Sequence, residues 1–222
     1  MRIDIITLFP GMFSGILNES ILNIAEEKEL AEYHIHDLRD YTVYKHRQVD
    51  DRPFGGGPGM LIMPDPVFRA VEAIEKDGGP FCRIALTPKG KTFTQSCAKE
   101  LSGEENLLIL CGRYEGFDNR IIEGLEFRQI SIGSYVLSGG EAAAMVILES
   151  VVRLIPGVLG NEQSVISESF SDGRETVVEY PQYTRPAEYR GMHVPDVLLS
   201  GDHEKIAEWR KNHSRTKDTE ER

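Results

Sequence analysis

Short apolar runs alternate with segments of helical periodicity along the first 160 residues. The runs that predict strands cover residues 2–9, 33–38, 83–87, 107–110 and 129–132. Apolar residues recur every three or four positions in the segments between them, which predicts helices at residues 13–25, 65–76, 91–101, 115–124 and 140–155. Strands that alternate with helices predict an α/β domain with a mostly parallel sheet.

The pattern changes after Gly160. Residues 161–180 hold five acidic side chains against one Arg and few large apolar residues, which predicts a linker or mobile loop. From residue 184 onward, two prolines and a segment that carries Trp209 predict a small helical domain, with a frayed tail at residues 216–222. The expected organisation is therefore a domain at 1–160, a linker at 161–180 and a short domain at 181–222.

Composition narrows the class of protein. With 40% hydrophobic and 27% charged residues, the 222-residue chain is expected to fold into a globular protein. Its net charge of −11 argues at first against a polyanionic partner, yet residues 203–217 hold five Lys and Arg against two Glu. The three cysteines are scattered, and the sequence shows no secretory signal and no uninterrupted apolar span. These features predict a cytoplasmic protein.

Glycines concentrate in loops that follow predicted strands. The loops at residues 86–90, 111–116 and 132–140 each follow such a strand, and ligands of open parallel sheets bind outside the carboxyl ends of strands. A Walker A sequence and a G-x-G-x-x-G fingerprint are both missing, which excludes the usual nucleotide-binding loops. One shared pocket is the functional interpretation, and glycines that merely make tight turns are the alternative.

Several long motifs lie in these loops. They are VDDRPFGGGPGM at 49–60, LCGRYEG at 110–116, SIGSYVLSGGE at 131–141, IPGVLG at 155–160, PQYTRP at 181–186 and VLLSG at 197–201. In this order they closely resemble the bacterial tRNA (guanine-N1)-methyltransferases, from Met1 to about Lys217.

The resemblance implies a SPOUT methyltransferase, whose sheet ends in a deep trefoil knot that binds S-adenosylmethionine, and which works as a homodimer with a composite active site. It implies methylation of N1 of the guanosine at tRNA position 37, immediately 3′ of the anticodon. The residues implied to hold the methyl donor are Leu86, Thr87, Pro88, Gly112, Gly116, Ile132, Gly133, Ser134, Tyr135, Val136, Leu137, Gly139 and Gly140.

The family's catalytic Asp and Arg align with Glu168 and Arg153. N1 of guanine carries a proton at neutral pH, so methylation needs a general base and a group that stabilises charge on O6. Glu168 replaces the usual Asp, and the extra methylene moves the carboxylate by about 1 Å, a displacement that can cost about 100-fold in rate. For Arg153 alone, an ion pair with Glu149 one helical turn earlier is the structural alternative.

The resemblance also implies substrate and metal sites. The segment expected to meet the target guanosine contains His46, Arg47, Asp50, Arg52, Gly55, Gly56, Gly57 and Gly59. Members of the family need Mg²⁺, for which Glu115 is a candidate ligand and a solvated loop carboxylate the alternative.

Ser134, where relatives often have Asp, and a C-terminus shorter than usual are further departures from the family pattern. Two alternative functions therefore stay open. One is an RNA-binding SPOUT protein that is catalytically weak or inactive, and the other is a SPOUT methyltransferase for another RNA.

Overall fold

In the computed structural model, described residues are 1–160, 168–171 and 176–216. They divide into two compact units, Met1–Gly160 and a second unit that begins at Asn161. Most of the predicted linker and nearly all of the predicted frayed tail lie outside the described residues. None of the described helices has the length and apolar character needed to cross a bilayer.

A five-stranded parallel sheet forms the centre of the first unit. Its strands are β1 (Arg2–Thr7), β2 (Glu32–Asp37), β5 (Cys82–Thr92), β6 (Asn106–Cys111) and β7 (Arg128–Ser131), in the order β2-β1-β6-β5-β7. The strands β3 (Asp50–Asp51) and β4 (Leu61–Ile62) pair antiparallel outside it. The predicted α/β architecture with a mostly parallel sheet is confirmed.

Helices cover both faces of the sheet. The α-helices are α1 (Ser14–Leu17), α2 (Ser20–Glu27), α3 (Pro64–Gly78), α4 (Gln95–Ser102), α5 (Asn119–Gly124) and α6 (Glu141–Val152). Short 3₁₀ turns lie at Pro10–Met12, Leu38–Asp40 and Lys45–Arg47. Helices α2, α4 and α6 pack on one face and α3 and α5 on the other. Since both faces are covered, central strands such as β6 are apolar at successive positions, as the sequence pattern indicated.

Three helix predictions need correction. The predicted helix at 13–25 is two helices, because the side chain of Asn18 bonds to the carbonyl oxygen of Ser14 and Ser20 has a φ of 52°. Residues 115–118 are not helical, because the amides of Glu115 and Asp118 bond to the carbonyl oxygens of Met60 and Ile62 in the segment that contains β4. The predicted helix at 140–155 ends earlier, at Val152, with Arg153 as its C-cap.

Strand β5 continues beyond its predicted end. The pairing with β7 has an irregularity at which both Leu86 and Lys91 lie opposite Ile130, so the intervening residues loop out of the sheet. Pro88 lies in this loop, where its missing amide hydrogen disturbs no ladder bond. The predicted turn is therefore present as an interruption within one strand.

The second unit is small and mixes helices with short strand pairs. Strand β8 (Val177–Val178) pairs with β11 (Arg215–Thr216), and β9 (Glu188–Tyr189) pairs with β10 (Met192–His193). Its helices are α7 (Asp196–Leu199) and α8 (His203–His213), and the ring of Trp209 in α8 packs near those of Tyr180, Tyr183 and His213.

Candidate active site

The loop that interrupts β5 and the loops after β6 and β7 meet at one edge of the sheet and line a cavity of about 240 Å³. These strands are neighbours in the sheet, which is why their loops meet. The predicted donor residues that line the cavity are Leu86, Thr87, Pro88, Gly112, Gly116, Ile132, Gly133, Tyr135, Val136, Leu137, Gly139 and Gly140. Ser134 is exposed and does not line it.

Two of the loops approach as closely as backbones can. The amide of Gly140 donates a hydrogen bond of 2.7 Å to the carbonyl oxygen of Gly112. A Cβ on Gly140 would lie 2.7 Å from the amide nitrogen of Gly112 and 2.8 Å from the Cα of Cys111. Only glycine therefore fits at position 140, and the cavity wall here is backbone.

The cavity lining suits the predicted methyl donor. Apolar side chains such as Leu86, Ile132 and Phe117 lie beside backbone amides and carbonyls of the glycine loops. An adenosine carries a flat apolar ring with polar edges and a ribose with hydroxyl groups, which need both kinds of surface. The residues present therefore fit S-adenosylmethionine.

Burial shapes the chemistry of the thiol beside the cavity. Cys111 ends β6 and is 2% exposed. Burial, with a smaller contribution from the nearby Glu141 carboxylate, raises the pKa of the Cys111 thiol well above its usual range. The thiol stays neutral at physiological pH and is not a nucleophile here.

The predicted substrate segment adjoins the cavity without lining it. The amide of Glu115 donates to the carbonyl oxygen of Met60 at 3.0 Å. The amide of Ile62 donates to the carbonyl oxygen of Gly116 at 2.9 Å. The glycine-rich loop and the cavity loop are thereby joined by backbone hydrogen bonds. Glu115 also packs its side chain against Gly59.

Other members of that segment lie in different surroundings. Gly55, Gly56 and Gly57 have positive φ angles and open space around them. Arg47 forms ion pairs with Asp40 and Asp37, so it is engaged within its own loop. Asp50 lies in β3, and His46 and Arg52 are exposed.

The predicted catalytic pair belongs to different units. Arg153 caps the carboxyl end of α6 and is half-buried. Glu168 is half-buried in a turn where its carbonyl oxygen accepts from the amide of Ser171 at 3.3 Å. Within that turn the Ser169 hydroxyl accepts from the amide of Glu179 at 3.0 Å.

A protein-made metal cage is not found in the described part of the chain, where no three His, Cys, Asp or Glu side chains gather closely enough to hold an ion. Glu115 therefore has no partner carboxylates or imidazoles for such a cage among those residues. Mg²⁺ usually keeps several waters and binds one or two carboxylates together with substrate phosphates, so Glu115 stays a predicted ligand.

The sequence pattern missed some residues of the site. Lys89, Arg113, Tyr114 and Phe117 also line the cavity, and Glu141 lies behind Arg113. Arg113 and Tyr114 lie inside the motif at 110–116, of which only Gly112, Glu115 and Gly116 were predicted as site residues. For Glu141 the available signal was a single carboxylate at the start of an otherwise apolar helix.

Comparison with known proteins agrees with this geometry. The profile of the family described as tRNA (Guanine-1)-methyltransferase TrmD matches residues 1–222. The chain is 56% identical over 215 residues to the tRNA (guanine-N(1)-)-methyltransferase of Geobacillus kaustophilus, which covers 96% of this chain and 86% of the relative. It is 54% identical to proteins of the same name from Bacillus cereus and Bacillus anthracis. Each of these matches covers 96% of this chain and 87% of the relative. The chain therefore belongs to the tRNA (guanine-1)-methyltransferase TrmD family.

Proposed function

We propose that this protein transfers a methyl group from S-adenosylmethionine to N1 of the guanosine at tRNA position 37. The observation that carries the proposal is the family match over the whole chain, together with a cavity formed by the family's own motifs. The bound donor supplies an electrophilic methyl group. The protein's residues bind that donor, position the guanine and accept the proton from its N1.

Donor binding rests on the three cavity loops. Backbone groups of Gly112, Gly139 and Gly140 are available to the ligand at the wall where no side chain intervenes. The apolar side chains of Leu86 and Ile132 offer surfaces for a flat ring. Ser134 contributes at most through its backbone, because its side chain is exposed outside the lining.

Glu168 is the proposed general base, and Arg153 the proposed partner of the guanine O6. Removal of the N1 proton makes the nitrogen nucleophilic and shifts negative charge to O6, where a guanidinium stabilises it. A carboxylate that accepts this proton need not be strongly basic if it is well placed. Glu replaces the family's Asp here, and we propose that it retains the role.

The segment from His46 to Gly59 is the proposed guanosine-binding region. A base that reacts at its Watson–Crick edge must leave its stack, and it then needs hydrogen-bond partners supplied by backbone or short side chains. The glycine-rich loop offers accessible amides, and its hydrogen bonds to the loop of Glu115 keep it beside the donor cavity. Asp50 and Arg52 are the proposed polar contacts, with His46 and Arg47 at the margin.

A homodimer with a composite site is part of the proposal. The cavity of about 240 Å³ is smaller than the roughly 300–1,000 Å³ of common ligand sites, so a second subunit that completes it would be consistent with this volume. Exposed apolar side chains in the first unit, including Met12 at 47% and Val146 at 45%, offer surface for such a partner.

The same proposal includes the trefoil knot and a short helical tRNA-binding domain. It also includes the division of the chain into residues 1–160, 161–180 and 181–222. The knot is proposed from membership of the family, whose model matches residues 1–222. A cytoplasmic location follows from tRNA as the proposed substrate. The Mg²⁺ requirement stays a prediction, and no step is derived through the ion.

The proposal is tested with radiolabelled S-adenosylmethionine and a tRNA transcript that carries G37. We expect transfer of label to this RNA, N1-methylguanosine in its nuclease digest, and no transfer when G37 is replaced by A. Binding of the tRNA without transfer would instead favour an inactive RNA-binding protein. Transfer to ribosomal RNA alone would favour a methyltransferase for another RNA.

A further inference from the structure

A buried carboxylate lies directly behind the cavity wall. Glu141 is the first residue of α6 and is only 1% exposed. The hydroxyl of Thr7, at the carboxyl end of β1, donates to Glu141 Oε1 at 2.8 Å. The same hydroxyl oxygen accepts a hydrogen bond from the amide of Phe9 at 3.0 Å. Its hydrogen is therefore free to be donated to Glu141. One carboxylate oxygen is therefore fixed from the core side.

The other oxygen of this carboxylate faces a residue of the cavity lining. Glu141 Oε2 lies 3.6 Å from Nη1 of Arg113. The Arg113 guanidinium also stacks over the ring of Phe9, 4.4 Å from its centroid. A buried carboxylate is costly without a cationic or hydrogen-bonded partner, so Arg113 and Thr7 together make its burial tolerable.

The Glu141–Arg113 pair fills the space beneath the third cavity loop. Arg113 and Gly139 form an antiparallel backbone bridge. A side chain on Gly139 would collide with Glu141 Oε2 and Arg113 Nη1 together, so the ion pair packs directly against this backbone. The next residue, Gly140, bonds to Gly112. Moving the pair would therefore move both loops that form the wall.

We propose that Glu141 is a positioning residue of the methyl-donor site, which acts by holding Arg113 and, through it, the loops of Gly112 and Gly139 in their binding arrangement. The inference rests on the proposed function, since it assigns the cavity to the donor. A carboxylate at a helix N-terminus can also simply stabilise its helix. The two roles differ in one respect: only positioning changes the affinity for the donor in a protein that is still folded.

The decisive variant is Glu141→Gln, which keeps the shape of the side chain and an oxygen that accepts from Thr7, but loses the charge that faces Arg113. We expect the Kd of S-adenosylhomocysteine, measured by isothermal titration calorimetry on the full chain, to rise about tenfold or more, as for the loss of a charged hydrogen-bond partner. The KM for the methyl donor should rise in parallel, while the KM for tRNA stays unchanged. The matched control is Glu149→Gln, an exposed position of the same helix, which should leave the Kd as it is.

A double-variant cycle separates positioning from a general loss of stability. If Glu141 acts through Arg113, the protein with both Glu141→Gln and Arg113→Gln should bind S-adenosylhomocysteine about as well as Arg113→Gln alone. Thr7→Val is a second route in case Glu141→Gln does not fold. Thr7 lies outside the cavity lining, and Val lacks the hydroxyl that holds Glu141. Binding should weaken about threefold to fivefold, less than for Glu141→Gln, because the charge that faces Arg113 is kept.

The outcomes are distinct. A folded Glu141→Gln protein with a lower Tm and an unchanged Kd would overturn the inference, as would an unchanged Kd in folded Thr7→Val. Fully additive effects of Glu141→Gln and Arg113→Gln would also overturn it. If the unaltered chain fails to bind S-adenosylhomocysteine at all, the proposed function falls and this inference with it.

Discussion

His36 Nε2 lies 2.7 Å from Oδ1 of Asp4, a carboxylate with no exposed surface in the middle of β1. Arg2 donates to the other oxygen of Asp4 at 2.7 Å, and His36 Nδ1 lies 2.8 Å from the hydroxyl of Tyr41. Burial raises the pKa of Asp4, but the hydrogen bonds of His36 and Arg2 outweigh it, so that the net pKa lies below its usual value. The network joins β1 to β2 on the face of the sheet that α3 covers.

Replacing Asp4 by Asn should destabilise the protein by about 1–3 kcal/mol at pH 7, because Asn offers Arg2 and His36 only one acceptor oxygen and no negative charge. A lowered carboxyl pKa contributes stability that is complete above the unfolded-state pKa of about 3.9 and is lost as the pH falls through the folded-state value. The difference between wild type and variant should therefore be constant from pH 7 to 5 and shrink below about pH 4. Urea unfolding across this range measures it.

Asp77→Asn is the control for that experiment. Asp77 also pairs with Arg2, but its side chain is 80% exposed, so its loss should change stability by no more than about 0.5 kcal/mol. Equal effects of the two substitutions would contradict the importance assigned to the buried network.

Gly140→Ala should weaken donor binding at least tenfold and lower stability by about 1–3 kcal/mol, as for overpacked sites. The φ of Gly140 is −81°, which alanine adopts easily, so the cause would be the contact with Gly112 and Cys111 rather than backbone strain. Calorimetry with S-adenosylhomocysteine measures the affinity. Gly15→Ala is the control, because nothing lies within 4 Å of its added Cβ.

Glu168→Gln and Glu168→Ala should each lower kcat by about 100-fold or more, the contribution of a positioned general base. The Kd of the donor should not change, since the residue is assigned to proton removal and not to the donor cavity. Single-turnover transfer to tRNA measures the chemical step. Full activity in Glu168→Ala would rule out this base, and Asp172, which lies outside the described residues, would be the next candidate.

His213→Ala should destabilise the second unit by about 0.5–1.5 kcal/mol, the usual range for an aromatic pair. The rings of His213 and Trp209 stack at 4.0 Å, and His213 Nδ1 lies 2.7 Å from the carbonyl oxygen of Trp209. Trp209 is the only tryptophan of the chain, so its fluorescence reports on this unit alone. His203→Ala, in the first turn of the same helix, should leave the unfolding midpoint in urea unchanged.

The three thiols should be alkylated in the order Cys82, Cys97 and Cys111. Burial raises the pKa of each thiol, and it does so most strongly for Cys111. Cys82 is the only one of the three that is partly exposed, while Cys97 and Cys111 are buried. Iodoacetamide labelling at pH 8, followed by mass spectrometry, gives the order. Early labelling of Cys111 in the folded protein would contradict the tight contact of the cavity loops.

Local pattern was sufficient for the five strands of the central sheet, but not for the short strand pairs outside it. An apolar run such as 107–110 can be buried on both faces only in the interior of a covered sheet, so its state follows from its own residues. Strand order also indicated that the glycine-bearing loops of β5, β6 and β7 share one edge of the sheet, because parallel strands bring their carboxyl ends together. The individual residues predicted to hold the donor came from the resemblance of those loop motifs to the family.

Long-range contacts were not available from local pattern. Residues 115–118 have a helical sequence pattern, yet the amides of Glu115 and Asp118 bond to Met60 and Ile62, more than fifty positions away. Local periodicity does not reveal such distant partners. Glu141 reads as an ordinary helix-start carboxylate until Thr7, 134 positions earlier, is found to bind it. The residue types and their order along the chain therefore determine the strands, the loops and the family, whereas the pairing of distant backbones and buried charges depends on how the sheet brings its edges together.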